Sequence, residues 1–525
     1  MPKVSHEAAV TGRSRKRALI AGVAIAIAIA VIVLGLLMRR SMGPQRQSPL
    51  RLSLDEKGPY ALIATESATR SYKAALDVGG DLHPHAKRFT FDPANLDPLL
   101  LWLREFKPYY ALIYIQPDEL DVNLGWKLLN LMARVDSDPF VDVRYGFVTG
   151  RSPASAADFI ARTRSAVRGE VSLQAMYIDD LGPNQMTDPG EFKVAGGSFI
   201  VPILGRRMGI KTISHGTRGF GNVQVSSMKG AGIIHFGGHG YPDRIVDGLT
   251  ASQAEVLDID PCVVFSGACY TGVTGRWFEM FTQEGTVAEH TVSAEHCFAL
   301  CLLSNRVIAY LAALHPDHGI PVYQEMEYMM ESGASLGEVM KHTYDGVVLA
   351  NGGRLPLFDS LAAGRRSPQW LPADIMLRGT SSRILYGDPA LRIVDALAEK
   401  PLEITVEEKA EGALVIGGIV ESAEYKATFT DTYHSDMSEV PNQFNDRALI
   451  TVDLPPAWRD VGSVEVLGSA YGSKSFRHRL VGWAVEEIEG KRLLHVQVDF
   501  PTEGYMKSTW RNKGAAVGIR VRATP

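Results

Sequence analysis

Ile233-Ile-His-Phe-Gly-Gly-His-Gly240 and Cys262-Val-Val-Phe-Ser-Gly-Ala-Cys-Tyr270 decide how this chain is read. Each is a short apolar run that breaks at glycine and then presents a reactive side chain, His239 in the first and Cys269 in the second. Short apolar runs bounded by turn residues are strands of a buried sheet. Similar runs at Tyr60–Ala64, Tyr110–Ile115, Leu173–Ile178, Lys211–Ser214 and Val307–Tyr310 are read as further strands. Helices are expected over Leu96–Phe106, Leu120–Val135, Ala154–Val167, Pro321–Glu331 and Ser335–Ala350. Strands that alternate with helices form a parallel α/β sheet. Such sheets carry their sites at the carboxyl ends of the strands. His239 and Cys269 are therefore expected on one edge, each at a strand end, with glycines that let the backbone turn sharply.

A thiol beside an imidazole is a nucleophile with its base. Sulfur attacks as thiolate, and the imidazole takes its proton and later returns one to the leaving amine. The backbone amides of Gly240 and Cys269 are the candidate donors to a developing oxyanion. Asp179 and Asp180 follow the Leu173–Ile178 run and are candidates, by placement, for the acid that orients the histidine. His235 and His239 are four apart, but glycines separate them and the first lies in a strand, so they do not read as a zinc pair. His315-Pro-Asp-His318 has a ligand-like composition without a partner cluster and reads as a polar loop.

His-Gly, a spacer and then Ala-Cys, each after an apolar strand, resembles the caspase-like clan of cysteine peptidases, and within it the gingipain family. Cys269-Tyr-Thr-Gly272 keeps a Cys-x-x-Gly pattern. Three further stretches carry the resemblance: Asp138-Pro-Phe-Val-Asp-Val-Arg-Tyr-Gly146 with Arg151, Ser335-Leu-Gly-Glu338, and Leu385-Tyr-Gly-Asp-Pro-Ala-Leu391. It covers roughly residues 58–395. It implies His239 as general base and acid, Cys269 as nucleophile, and a protein or peptide substrate. No cofactor is implied, although some relatives bind calcium, for which Asp317 and the acidic loops are the candidates.

The rest of the chain sets the context. Ala18–Met38 carries no charge and as a helix spans about 30 Å, the thickness of a bilayer core. It reads as a membrane anchor rather than a cleaved leader. Arg13, Arg15, Lys16 and Arg17 precede it, which favours a cytoplasmic N-terminus and an extracytoplasmic bulk. Beyond residue 400 the texture changes to short strands, at Glu403–Glu407, Leu414–Ile416, Tyr425–Phe429, Ala448–Val452, Leu493–Val498 and Val517–Val521, which suggest a β-sandwich. Lys and Arg number 54 against 59 Asp and Glu, a net charge of −5 that argues against nucleic-acid binding through net charge. Four cysteines are too few for a disulfide scaffold and are expected as free thiols.

The expected fold class is thus α/β: a caspase-like parallel-sheet peptidase domain with a preceding α/β subdomain, a C-terminal β-sandwich and one N-terminal transmembrane helix. The expected boundaries are a basic tail at 1–17, the span at 18–38, a linker at 39–57, the first α/β subdomain at 58–170, the catalytic subdomain at 171–397 and an immunoglobulin-like sandwich at 398–525. The function this implies is a membrane-anchored cysteine endopeptidase. The alternative is a catalytically silent, membrane-tethered binding protein that keeps the fold.

Overall fold

Among the described residues a ten-stranded sheet is built from strands between Tyr60 and Tyr386. Its strands, in chain order, are β2 (Tyr60–Thr65), β3 (Lys87–Phe91), β4 (Tyr110–Tyr114), β5 (Arg144–Val148), β6 (Met176–Asp180), β7 (Lys211–His215), β8 (Ile233–Phe236), β11 (Cys262–Ser266), β14 (Val307–Ala313) and β15 (Arg383–Tyr386). The spatial order is β3-β2-β4-β5-β15-β14-β11-β8-β6-β7, and the antiparallel pairs β9 (Gly240–Tyr241) with β10 (Arg244–Ile245) and β12 (Arg276–Glu279) with β13 (Ala288–Thr291) stand outside it. This computed structural model describes residues 50–174, 176–180, 209–215, 228–245, 249–280, 282, 284–317, 322–366, 372–395, 402–409, 412–420, 446–471, 474–476, 479–488, 490–500 and 516–524. The apolar run 18–38 lies outside them. Among the described residues no helix is long and apolar enough to cross a membrane.

The central strands β4, β8, β11 and β14 are buried along their whole length, which is why they read as unbroken apolar runs rather than alternating ones. The pairings among β3, β2, β4 and β5 and among β14, β11, β8, β6 and β7 are parallel, whereas β15 is antiparallel to β14 and meets β5 at the single pair Tyr386–Phe147. Helices start where the sequence supplies caps. Ser152 caps Pro153–Val167 through a reciprocal pair of bonds with Ser155, and Ser335 caps Leu336–Ala350 through the Glu338 amide.

Two expectations about boundaries need correction. Residues 50–54, placed in the 39–57 linker, form the strand β1 (Leu50–Leu54), antiparallel to β16 (Leu391–Val394). Leu50 and Leu52 are buried while Arg51 is exposed, a period of two that the neighbouring linker composition hid. The strand expected at Leu173–Ile178 runs instead over Met176–Asp180, so both acids belong to the strand end and not to the loop after it.

Beyond residue 400 two sheets face each other. One has five strands, β17 (Leu402–Lys409), β18 (Ala413–Val420), β24 (Ala516–Ala523), β20 (Val461–Tyr471) and β21 (Lys474–Phe476); the other has three, β19 (Asp446–Asp453), β23 (Lys491–Phe500) and β22 (Arg479–Ile488). Leu414, Ile416, Ile519 and Val521 of the first share a core with Ile450, Val496 and Val498 of the second, so this region is a sandwich. The run expected as a strand at Tyr425–Phe429 lies outside the described residues.

Candidate functional site

Three neighbouring parallel strands, β8, β11 and β14, end on one edge, and each is followed by a loop of chemical interest. The register sets Phe236 beside Ser266 and Phe265 beside Leu311. The Gly267 amide donates to the Phe236 carbonyl at 2.8 Å, which carries the ladder one step past the end of β11. Cys269 and His239 therefore leave adjacent strand ends.

Their loops touch. Gly238 holds a φ of 115°, which only glycine adopts without strain. A Cβ on Gly240 would lie 2.4 Å from the Cys269 carbonyl oxygen and 2.9 Å from the Ala268 Cβ, so glycine is required there for contact reasons alone. The turn carrying Cys269 is knotted by its own hydroxyls. The Ala268 amide donates to Ser266 Oγ at 3.2 Å, Thr271 Oγ1 donates to the Ala268 carbonyl at 2.9 Å, and the two hydroxyls lie 2.8 Å apart. Tyr270, next to the thiol, has a φ of 60°. A bulky residue in the left-handed region costs about 1–3 kcal/mol, and such strain concentrates at functional sites.

His239 is exposed, Cys269 half-buried and His235 fully buried within β8. The Cys269 sulfur accepts the Asp317 backbone N–H at 3.3 Å. Its pKa is nevertheless pushed up to about 12. Burial is the main cause and the Asp317 carboxylate adds to it, against the opposing effect of the Asp317 N–H bond. The resting group is thus a thiol, and a base must remove its proton when it reacts. All four cysteines are free; Cys262, Cys297 and Cys301 are buried and their thiols are likewise raised by burial.

Asp179 and Asp180 end β6 on this same edge, paired with His235 and Phe236 of β8. Successive residues of a strand face opposite sides of the sheet, so at most one of the two acids shares a face with any given partner. Their side chains lie outside the described residues.

The sequence reading missed the third loop. His315 and Asp317, expected in a polar loop, are buried, and His318 lies outside the described residues. The His315 ring packs 5.5 Å from that of Trp126 and 6.2 Å from that of Tyr270. Asp317, the candidate calcium ligand, pairs with the buried Arg383 at 2.5 Å. The signal available in the sequence was position: this loop directly follows a strand that the α/β pattern sets on the same edge. The other carboxylate group of note, Asp136, Asp138 and Asp142, precedes β5 and accepts backbone N–H bonds from Val135, Asp136, Asp138, Phe140 and Glu487.

The Gly-Asp-Pro stretch lies elsewhere. Antiparallel pairing sets Arg383, the first residue of β15, beside Ala313 at the end of β14, and carries Gly387 towards the start of β14. A Cβ on Gly387 would lie 2.9 Å from that of Ala309. Asp388 is buried and accepts Tyr60 Oη at 2.8 Å, His83 Nε2 at 2.6 Å and the Ala390 amide at 2.9 Å. The stretch is a structural tether at the edge opposite Cys269. Glu338, in the Ser-Leu-Gly-Glu stretch, likewise pairs with Arg144 at 2.9 Å.

No known protein family and no curated protein matches the chain. Among solved structures, one described as "Structure of Protease" aligns over 71% of this chain and 86% of that one, at 12% identity and a TM-score of 0.42. A likeness that slight carries neither fold nor activity.

Proposed function

We propose that the protein is a cysteine endopeptidase resembling the gingipains, with Cys269 as nucleophile and His239 as general base and acid. The observation that carries this reading is the contact between the two loops: Gly240, next to His239, packs directly on the carbonyl of Cys269. The strained Tyr270 beside the thiol supports it.

The chemistry follows from these groups. His239 takes the Cys269 proton as sulfur bonds to the carbonyl carbon of the scissile peptide. The oxyanion of the tetrahedral intermediate is met by the backbone amides of Gly240 and Cys269. The imidazolium then gives its proton to the departing amine, and the C–N bond breaks to leave an acyl-enzyme. Water, deprotonated by His239, attacks the thioester, and the carboxylic acid leaves with the thiol restored. Because burial raises the thiol pKa, base assistance from His239 is obligatory in this scheme. Asp179 or Asp180 is the proposed orienting acid, and no metal takes part. The apolar run 18–38 supports a single membrane anchor, with the basic residues 13–17 cytoplasmic and the bulk of the chain outside. Residues 58–170 and 171–397 would be the two peptidase subdomains and 398–525 an immunoglobulin-like sandwich. A second reading, a membrane-tethered binding protein without turnover, is favoured by one observation, the raised thiol itself.

The test is to incubate the full chain in detergent with a diverse peptide mixture and map cleavages by mass spectrometry, beside Cys269→Ala and His239→Ala. Cleavage abolished by both substitutions is expected. Cleavage that survives Cys269→Ala would overturn the assignment, and no cleavage by folded protein would favour the binding protein.

A further inference from the structure

We infer that Arg383 is a positioning residue for Cys269: one buried guanidinium ties the strand that carries the thiol to the loop whose backbone N–H meets the sulfur. This rests on Cys269 being the nucleophile. Arg383 is fully buried. Its Nη1 donates to the Ser266 carbonyl, the last residue of β11, at 2.9 Å and to Asp317 Oδ2 at 2.5 Å. Its Nε and Nη2 form a two-pronged pair with Glu325 at 2.5 and 2.6 Å, anchored in the helix Val322–Ser332. The antiparallel direction of β15 is what brings its first residue to the edge where the parallel strands end. Asp317, so held, aims its own N–H at Cys269 Sγ at 3.3 Å.

Stability alone does not account for such a cluster. Buried ion pairs gain little over well-packed apolar residues of the same volume. What a guanidinium supplies is a rigid planar fork that fixes several acceptors at once, which the point charge of lysine cannot do. The cluster also sets two carboxylates against one cation. Asp317 Oδ1 has no hydrogen-bond partner among the described residues, and burial together with the charge of Glu325 pushes the Asp317 carboxyl up to about 6 despite Arg383. The titratable groups on the elements packed around the thiol are its neighbour Tyr270, His239 on the loop after β8, and His315 and Asp317 on the loop after β14, with Glu325 and Arg383 behind Asp317. Asp317 thus acts on the sulfur in two opposed ways. Its N–H favours the thiolate and its carboxylate disfavours it.

That opposition gives a readout that a merely structural role would not move. The rate of iodoacetamide alkylation at Cys269, resolved by peptide mapping, is measured against pH in the full chain. Asp317→Asn keeps the N–H and an acceptor for Arg383 but removes the charge, so the alkylation midpoint is expected to fall by roughly one pH unit. Arg383→Lys keeps the charge but loses the fork, so Asp317 is no longer aimed and the midpoint is expected to rise by roughly as much. Midpoints that stay fixed, or that move in the same direction, would overturn the inference. If Arg383→Lys does not fold, Asp317→Asn decides alone, and a midpoint that fails to fall sinks the inference. Alkylation needs no turnover, so a folded protein that cleaves no peptide would favour the binding protein while leaving this result intact.

Discussion

The two ends of β15 make opposite use of a buried charge. At its start Arg383 holds two carboxylates and a carbonyl, and one carboxylate oxygen is left over. Just past its end Asp388 is a single carboxylate met by a phenol, an imidazole and an amide. Burial works against its ionisation, yet His83 and Tyr60 more than offset this and hold the carboxyl below its usual range. The first arrangement is incompletely satisfied and lies beneath the strained turn that carries the Cys269 thiol. The second is closed and joins β2, the helix Lys73–Leu82 and β15 into one body. One edge of the sheet carries the groups of the proposed chemistry, and the other holds its elements together.

The contrast can be broken most severely at Arg383. Arg383→Met leaves Glu325 and Asp317 buried and unpaired, and is expected to cost about 3–5 kcal/mol in urea unfolding together with most of the reactivity of Cys269. Gly240→Ala touches only the first edge. Its new Cβ would meet the Cys269 carbonyl, and the resulting displacement of His239 should lower peptide cleavage about 100-fold with a much smaller change in unfolding. Asp388→Asn touches only the second. It should cost about 1.5–3 kcal/mol at neutral pH and leave the alkylation rate of Cys269 unchanged. Because the folded pKa of Asp388 is depressed, its contribution is present above the unfolded carboxylate pKa and is lost as pH falls through the folded value. Parent and variant should therefore converge in acid, and a gap that widens there would contradict the account.

The smallest effect belongs to Asp142, away from both ends. Burial, then the neighbouring Asp136, raise its carboxyl well above the usual range. A raised acid stabilises fully below its unfolded pKa and loses that contribution as pH rises through the folded value. Asp142→Asn should thus raise the melting temperature slightly near pH 8 and hardly at all near pH 4. Equal shifts at both pH values would contradict this.

How much of this was legible in the sequence depends on range. The apolar runs and their alternation with helices revealed the parallel sheet, and the turn glycines marked the two loops that meet. Local composition sufficed because each signal lay within a few residues. Asp317 was misread as part of a polar loop because its partner Arg383 comes 66 residues later, and only the reversed direction of β15 brings them together. The Gly-Asp-Pro stretch stood out in the sequence only through the resemblance, because a sequence does not reveal on which edge a turn falls. Leu50–Leu54 was lost to the linker because five residues beside a polar segment carry a faint period of two. The orienting acid and the membrane span rest on side chains and residues outside those described.

The most direct test of the central claim is covalent trapping. Peptidyl acyloxymethyl ketones of varied sequence react with a thiol only when it is activated beside its base, so the full chain is treated with such a mixture and its mass and modified peptide are read. The account predicts one adduct per chain, on Cys269 alone among the four cysteines, formed far more slowly in His239→Ala. An adduct on Cys262, Cys297 or Cys301, or a rate indifferent to His239, would contradict it.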